Sequence, residues 1–225
     1  KNMVLRMMLV QLSAYALLIA AAAVTLLGAD PTAPRVVACL TLVVFLVFWP
    51  LRGTMLDRVV TLLFGAASLM FVTVPFPAGK VPPDQTAADG STLPWYSWAL
   101  AMGLLLVMLV VFSFGRQMAR EKRDHLIRAL SHAVTSGVAA LAVAGWCFLP
   151  DLGAMLAKGT VAGTVALIIL IVLGLALAVA STLWVRDADP DPDIRYPWIG
   201  TGLMSVMLMG VTIAATALVL GRIIG

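Results

Sequence analysis

The side chains best suited to chemistry gather in a few places. The densest is Arg116-Gln-Met-Ala-Arg120-Glu-Lys122-Arg123-Asp-His125-Leu-Ile-Arg128, with five cations in 13 residues. At helical spacing Arg116, Arg120 and Arg123 share one face, with Glu121 and Asp124 close by as partial counter-ions. Guanidinium forks match the oxygens of a phosphate, so Arg116, Arg120, Lys122, Arg123 and Arg128 form a candidate phosphate or lipid-headgroup site. The same residues also read as a topology anchor lying against anionic lipid.

His132 is the one ionisable residue well inside an apolar run, one to two turns from its start and beside Ser131, Thr135 and Ser136. An imidazole there suits a proton relay, a metal ligand or a hydrogen bond between helices. His125 shares its helix face two turns earlier, which is about 10 Å of helical rise and too far for both to grip one ion. No cluster of Cys, Asp or Glu completes a set of ligands, so neither a metal nor a cofactor is expected. Gln11 is the other strongly polar residue inside an apolar run, and a hydrogen bond from Gln11 to His132 is the expected way to satisfy both.

Two further features are weaker. Cys39 and Cys147 are the only cysteines. Each falls near a run end of similar depth, but a disulfide needs a close approach that sequence does not supply, and two separate thiols packed as small hydrophobes are expected. Asp187, Asp189, Asp191 and Asp193 alternate with small residues and prolines. The prolines extend the backbone and splay the carboxylates, and the glycine turn and terminal Glu of a calcium loop are missing. A solvated linker is the expectation.

The elements that must position these residues are set by composition. The 225-residue chain is 62% hydrophobic and 12% charged, against about 25% charged residues in soluble domains, so it belongs to the membrane class. It reads as a single bundle of about seven transmembrane helices over residues 4–28, 34–50, 58–77, 94–115, 126–149, 160–185 and 197–221. The hairpin between Arg35 and Pro77 has the shortest runs and also fits a re-entrant pair. Of the 15 Lys and Arg residues, 11 fall at one set of helix ends and four at the other, namely Arg35, Lys80, Lys158 and Arg222. The positive-inside rule then puts the amino terminus in the cytoplasm and the carboxy terminus outside. All six tryptophans fall near expected helix ends, at the headgroup level. A net charge of +4 is accounted for by these loops and by anionic headgroups, without nucleic acid. Small residues, including Gly174 and Ala178 at four-residue spacing, fit close packing within the bundle or against another subunit.

Few Lys, one Asn and abundant Ala, Val and Gly suggest a GC-rich bacterial source and hence the inner membrane. The chain opens on Lys1 and stops just after an apolar run, so further segments are expected beyond either end, and no cleavable signal peptide is evident. Seven spans also permit two three-helix repeats around a linking helix, but the halves show no convincing match.

Walker, GxSxG and HExxH motifs are absent, as are a midplane Asp, Glu or Arg and a pair of clearly broken helices. Three functions are carried forward. The first is a non-catalytic subunit or assembly factor of a bacterial cell-envelope or transport complex, with protein partners or a homo-oligomeric state. The second is a small transporter or channel for an apolar or lipid-like substrate, which needs a cavity lined by Gln11, His132 and the hydroxyls of Thr135 and Ser136. The third is an enzyme acting on a phosphorylated lipid, with the Arg116–Arg128 segment holding phosphate.

Overall fold

The computed structural model describes residues 2–28, 30–51, 54–74, 93–119, 126–187 and 194–224. The helices among them are α1 (Asn2–Leu26), α2 (Ala33–Val47), α3 (Met55–Thr73), α4 (Pro94–Met118), α5 (Leu126–Ala142), α6 (Leu149–Leu156), α7 (Val161–Asp187) and α8 (Pro197–Ile224), with a 3-10 segment, Val143–Phe148, between α5 and α6. Six stretches are long and apolar enough to cross a bilayer, with α5, the 3-10 segment and α6 together forming one of them. This makes the chain a multi-pass membrane protein by length and composition. Helix α2, at 15 residues, is shorter than the roughly 17–25 that a full crossing takes. In hydrocarbon, every backbone polar group needs an internal partner, which is why long apolar runs become helices.

Local chemistry sets the helix ends. Pro34, Pro94, Pro150 and Pro197 stand in the first turns of α2, α4, α6 and α8, where a missing N–H costs nothing. At the start of α3, the Asp57 carboxylate accepts the Thr54 N–H at 2.7 Å while the Asp57 N–H donates back to the Thr54 carbonyl. Gly28 closes α1 with a φ of +89°, a value that favours glycine. In the turn that follows, the Asp30 carboxylate accepts the Thr32 N–H at 2.9 Å, and this bond holds the Asp30 carboxyl below its usual range.

The fifth span departs from the expected 126–149. Pro150 reads in sequence as a stop. Here it begins a new helix after the 3-10 segment, and the apolar stretch continues to Leu156. The span is therefore broken in the middle of its length, and the break serves packing. The backbone of Gly145 lies directly on α8: a Cβ added at Gly145 would sit 2.0 Å from the Gly210 carbonyl oxygen, and one at Gly210 would sit 2.1 Å from the Ala142 oxygen. The Trp146 indole N–H donates to the Val206 carbonyl at 2.8 Å across the same contact.

Helix α8 is the axis of the bundle. In its apolar stretch 61% of residues are buried, against 11% in α7. It touches α1, α2, α5, α6, α7 and the 3-10 segment. Gly200 receives the end of α2, since a Cβ there would lie 2.0 Å from the Phe48 oxygen, and Gly202 lies against Met7 of α1. Helix α7 is peripheral. Its large residues, including Val165, Ile168, Val172, Leu175 and Val179, are exposed, while Gly174 faces Met209 of α8. Cys39 and Cys147 are both free thiols.

Replacing Gly210 with Val should destabilise the bundle by at least the roughly 1–3 kcal/mol of ordinary overpacking, because the atoms in its way are backbone. Gly103 in α4 has nothing within 4 Å of an added Cβ, so Gly103→Ala should leave stability unchanged or raise it. Thermal unfolding of both variants in one detergent checks this, and equal midpoints would refute the role given to the crossing.

Candidate functional site

Many of the buried polar side chains, among them Gln11, Thr61, Ser113, Gln117, Ser136, Ser181, Thr201 and Ser205, lie toward one end of the bundle. That end carries the starts of α1, α3, α5 and α8 and the ends of α2, α4 and α7, as the contacts below show.

Gln11, one of the residues singled out by sequence, is 4% exposed. Its amide donates to Ser181 Oγ at 2.6 Å and to Ser205 Oγ at 3.0 Å, tying α1 to α7 and α8. Those hydroxyls donate in turn to the carbonyls of Ala178 and Gly202, at 2.7 and 2.8 Å. Both donors of the Gln11 amide are therefore engaged by serines, and these serines take the place that the sequence reading gave to His132.

Arg116 pairs with Asp57. Its second guanidinium nitrogen donates to Thr54 Oγ1 at 2.6 Å, and the Thr54 hydroxyl also reaches Asp57 at 3.0 Å. The start of α3 is thereby fastened to the end of α4. Of the basic cluster, only Arg116 and Arg128 fall among the described residues; Arg120, Lys122 and Arg123 lie outside them, as does the stretch 188–193 of the acidic run. Arg128 is exposed on the first turn of α5. Beside the ion pair, Gln117 is 3% exposed, and its Oε1 has no partner among the described residues. It borders a cavity of about 10 Å³ with Asp57, Thr61 and Ser113, the size of one water molecule.

Ser136 is fully buried and does not join His132. Its hydroxyl lies 3.5 Å from Thr61 of α3 and donates to the Ala133 carbonyl at 3.1 Å. One residue earlier, Thr135 joins Ser131 and His132 on a different face of α5. These three line a cavity of about 200 Å³ with Pro50, Leu51, Trp184, Thr201 and Met204. The turn after α2 supplies the two apolar residues Pro50 and Leu51. Trp184 comes from the end of α7, and Thr201 and Met204 come from the start of α8. Four of the eight lining residues thus carry a hydroxyl or an imidazole, set in a mainly apolar wall. Gln11 is not part of it, although its partners Ser181 and Ser205 lie within one turn of Trp184 and Thr201.

Beyond this end the interior is closed. Ala139 to Ala144 are fully buried, and Trp146, Phe148 and Trp98 fill the region past them. Trp98 packs on Phe148 with ring centroids 5.4 Å apart and donates its N–H to Ser68 Oγ at 2.9 Å. The Ser68 hydroxyl in turn donates to the Leu141 carbonyl at 2.7 Å. No group of three or more metal-ligating side chains occurs among the described residues.

Sequence reasoning missed Asp57, Trp184 and Thr201. Asp57 carried a legible signal, the Thr-x-x-Asp helix start at Thr54, but nothing in sequence pairs it with Arg116, 59 positions away. Fold and site together define a multi-pass helical membrane protein with a small amphipathic cavity, lined by described residues, at its arginine-rich end. Comparison with protein families, characterised proteins and solved structures finds no match to the chain.

The two polar ties should differ in cost. Gln11→Leu leaves both serines still donating, so its loss should approach the roughly 0.6 kcal/mol average of an interhelical hydrogen bond. Asp57→Asn strips a carboxylate from a guanidinium only 19% exposed, and should cost more, up to the roughly 3–5 kcal/mol of a fully buried pair. Asp57→Asn with Arg116→Gln should recover part of it. Chemical unfolding that ranks Gln11→Leu as the more damaging change would sink this assignment.

Proposed function

We propose that this chain is a seven-span protein of the bacterial cytoplasmic membrane, amino end inside, that carries a small amphipathic solute. Helix α2 counts as the seventh span when its flanking residues Phe48 to Leu51 are included, and the orientation follows from the eleven-to-four distribution of Lys and Arg. The observation that carries the reading is the cavity of Ser131, His132 and Thr135. An ionisable side chain at a cavity within a spanning segment marks a solute or proton path more readily than a packing contact. At about 200 Å³ the cavity is smaller than the roughly 300–1,000 Å³ of pockets for drug-sized ligands, which favours a small solute. The tight packing of Ala139 to Ala144 beyond it fits a state open to one side only.

The reading as a non-catalytic subunit of an envelope complex stays as the second one, favoured by the wide apolar face of α7. For the lipid-phosphate enzyme, Arg116 is already engaged by Asp57 and Thr54, and no observation adds to it.

Purification in mild detergent followed by mass spectrometry of everything retained separates the two. A carrier should hold a small molecule that His132→Ala and Thr201→Val each release at least tenfold, with thermal midpoints unchanged. A stoichiometric protein partner with no such molecule would replace the carrier with the subunit. For orientation, a single cysteine at Lys158 should react with an impermeant maleimide in intact cells, and one at Arg195 only after permeabilisation; the opposite pattern would invert the topology.

A further inference from the structure

Helices α1 and α2 do not close against each other along their outward sides. Between them runs a groove of about 450 Å³ whose wall is almost wholly hydrocarbon. Leu9 and Leu17 of α1 form one side, Leu40 and Val44 of α2 the other, and Leu203 of α8 the floor. The one hydroxyl donor contributed by α2, Thr41, is already committed to the Val37 carbonyl at 2.8 Å. Ser13 of α1 is the one other hydroxyl on the wall, so the groove offers little to a polar solute along its length.

Its end is different. Arg6 and Trp198 stand together there. Arg6 is exposed and forms no ion pair among the described residues. Trp198 packs edge-on against Tyr196 with ring centroids 6.0 Å apart, and Trp and Tyr settle at the headgroup level of a bilayer. From Arg6 to Leu17 the helix rises about 16 Å, close to the roughly 15 Å of one leaflet of hydrocarbon. A cation and an aromatic pair at the headgroup level, followed by one leaflet's depth of apolar channel, describe a single kind of occupant.

We propose that this groove is a binding site for one anionic phospholipid, with an acyl chain lying between α1 and α2 and the phosphate on Arg6. A zwitterionic lipid fills the channel equally well but gains less from the unpaired guanidinium, so the site selects by headgroup charge. The inference rests on the membrane reading and is independent of whether the chain carries a solute.

The test uses the whole protein in nanodiscs of equimolar phosphatidylglycerol and phosphatidylcholine with matched chains. Native mass spectrometry counts the lipid retained after the disc is stripped. Wild type should keep one lipid, predominantly phosphatidylglycerol. Arg6→Gln should keep a lipid but lower the phosphatidylglycerol-to-phosphatidylcholine ratio about fivefold, the weight of one cation at an anionic surface. Arg6→Lys should hold the ratio near wild type. Leu40→Trp, at a position 57% exposed and so tolerant of bulk, should fill the channel and lower retention of both lipids. Thermal midpoints matching wild type show that the variants are folded. No retained lipid in wild type, an unchanged ratio in Arg6→Gln, or full retention in Leu40→Trp would each overturn the site.

Discussion

The bundle depends on one backbone crossing. Where the 3-10 segment meets α8, Gly145 and Gly210 leave no room for a β-carbon on either side. Inside a bilayer, burying apolar surface against a neighbour gives no advantage over burying it in lipid, so helices are held by dispersion at close range and by hydrogen bonds. Both need short distances. The glycine crossing supplies the distance, and the bond from Trp146 to the Val206 carbonyl fixes its register. With α8 placed there, Gly200 and Gly202 receive α2 and α1 further along the same helix. Removing the crossing would separate the broken span from the axis, and the packing around the cavity would go with it.

The polar groups follow from that geometry. Gln11 reaches two serines because Gly202 lets α1 approach α8 closely. Asp57 and Arg116 meet because α3 and α4 run side by side with their charged ends together. Each tie satisfies side chains that would be costly alone in hydrocarbon. The His132 cavity lies between these ties, where the Pro50–Leu51 turn and the start of α8 approach α5 without meshing with it. Its shape is a product of helix ends, which are irregular and do not interdigitate as the helix middles do.

Much of this was legible from the residues. Six long apolar runs were legible, because length and hydropathy decide what a bilayer accepts, while α2 is shorter than a span and the fifth run extends to Leu156. His132 was visible as an ionisable group in an apolar run, and Thr135 lines the same cavity. Ser136 was grouped with them by proximity, yet its helix face turns to Thr61. The pairing expected between Gln11 and His132 rested on equal depth, and depth says nothing about which helices are neighbours. Likewise Pro150 reads as a terminator unless one knows that a 3-10 turn precedes it and lets it open a new helix. Sequence carried the one-dimensional facts; the lateral order of the helices comes from small-residue contacts such as Gly145 on Gly210, whose partners are far apart along the chain.

That order has a consequence for biosynthesis. Every helix that packs on α8 leaves the ribosome before it. Gln11 and Ser205 are separated by 194 positions, so at about 5–20 residues per second the amide waits roughly 10–40 s for that partner. Until then the glycine seats on α8 do not exist, although α3, α4 and α5 already pack on one another around Leu105, Leu109 and Leu141. Gln11 and Trp146 must pass that interval without the partners α8 gives them. Folding is therefore a question of timing: a chain stalled before residue 197 lacks the axis on which α1, α2 and the fifth span pack.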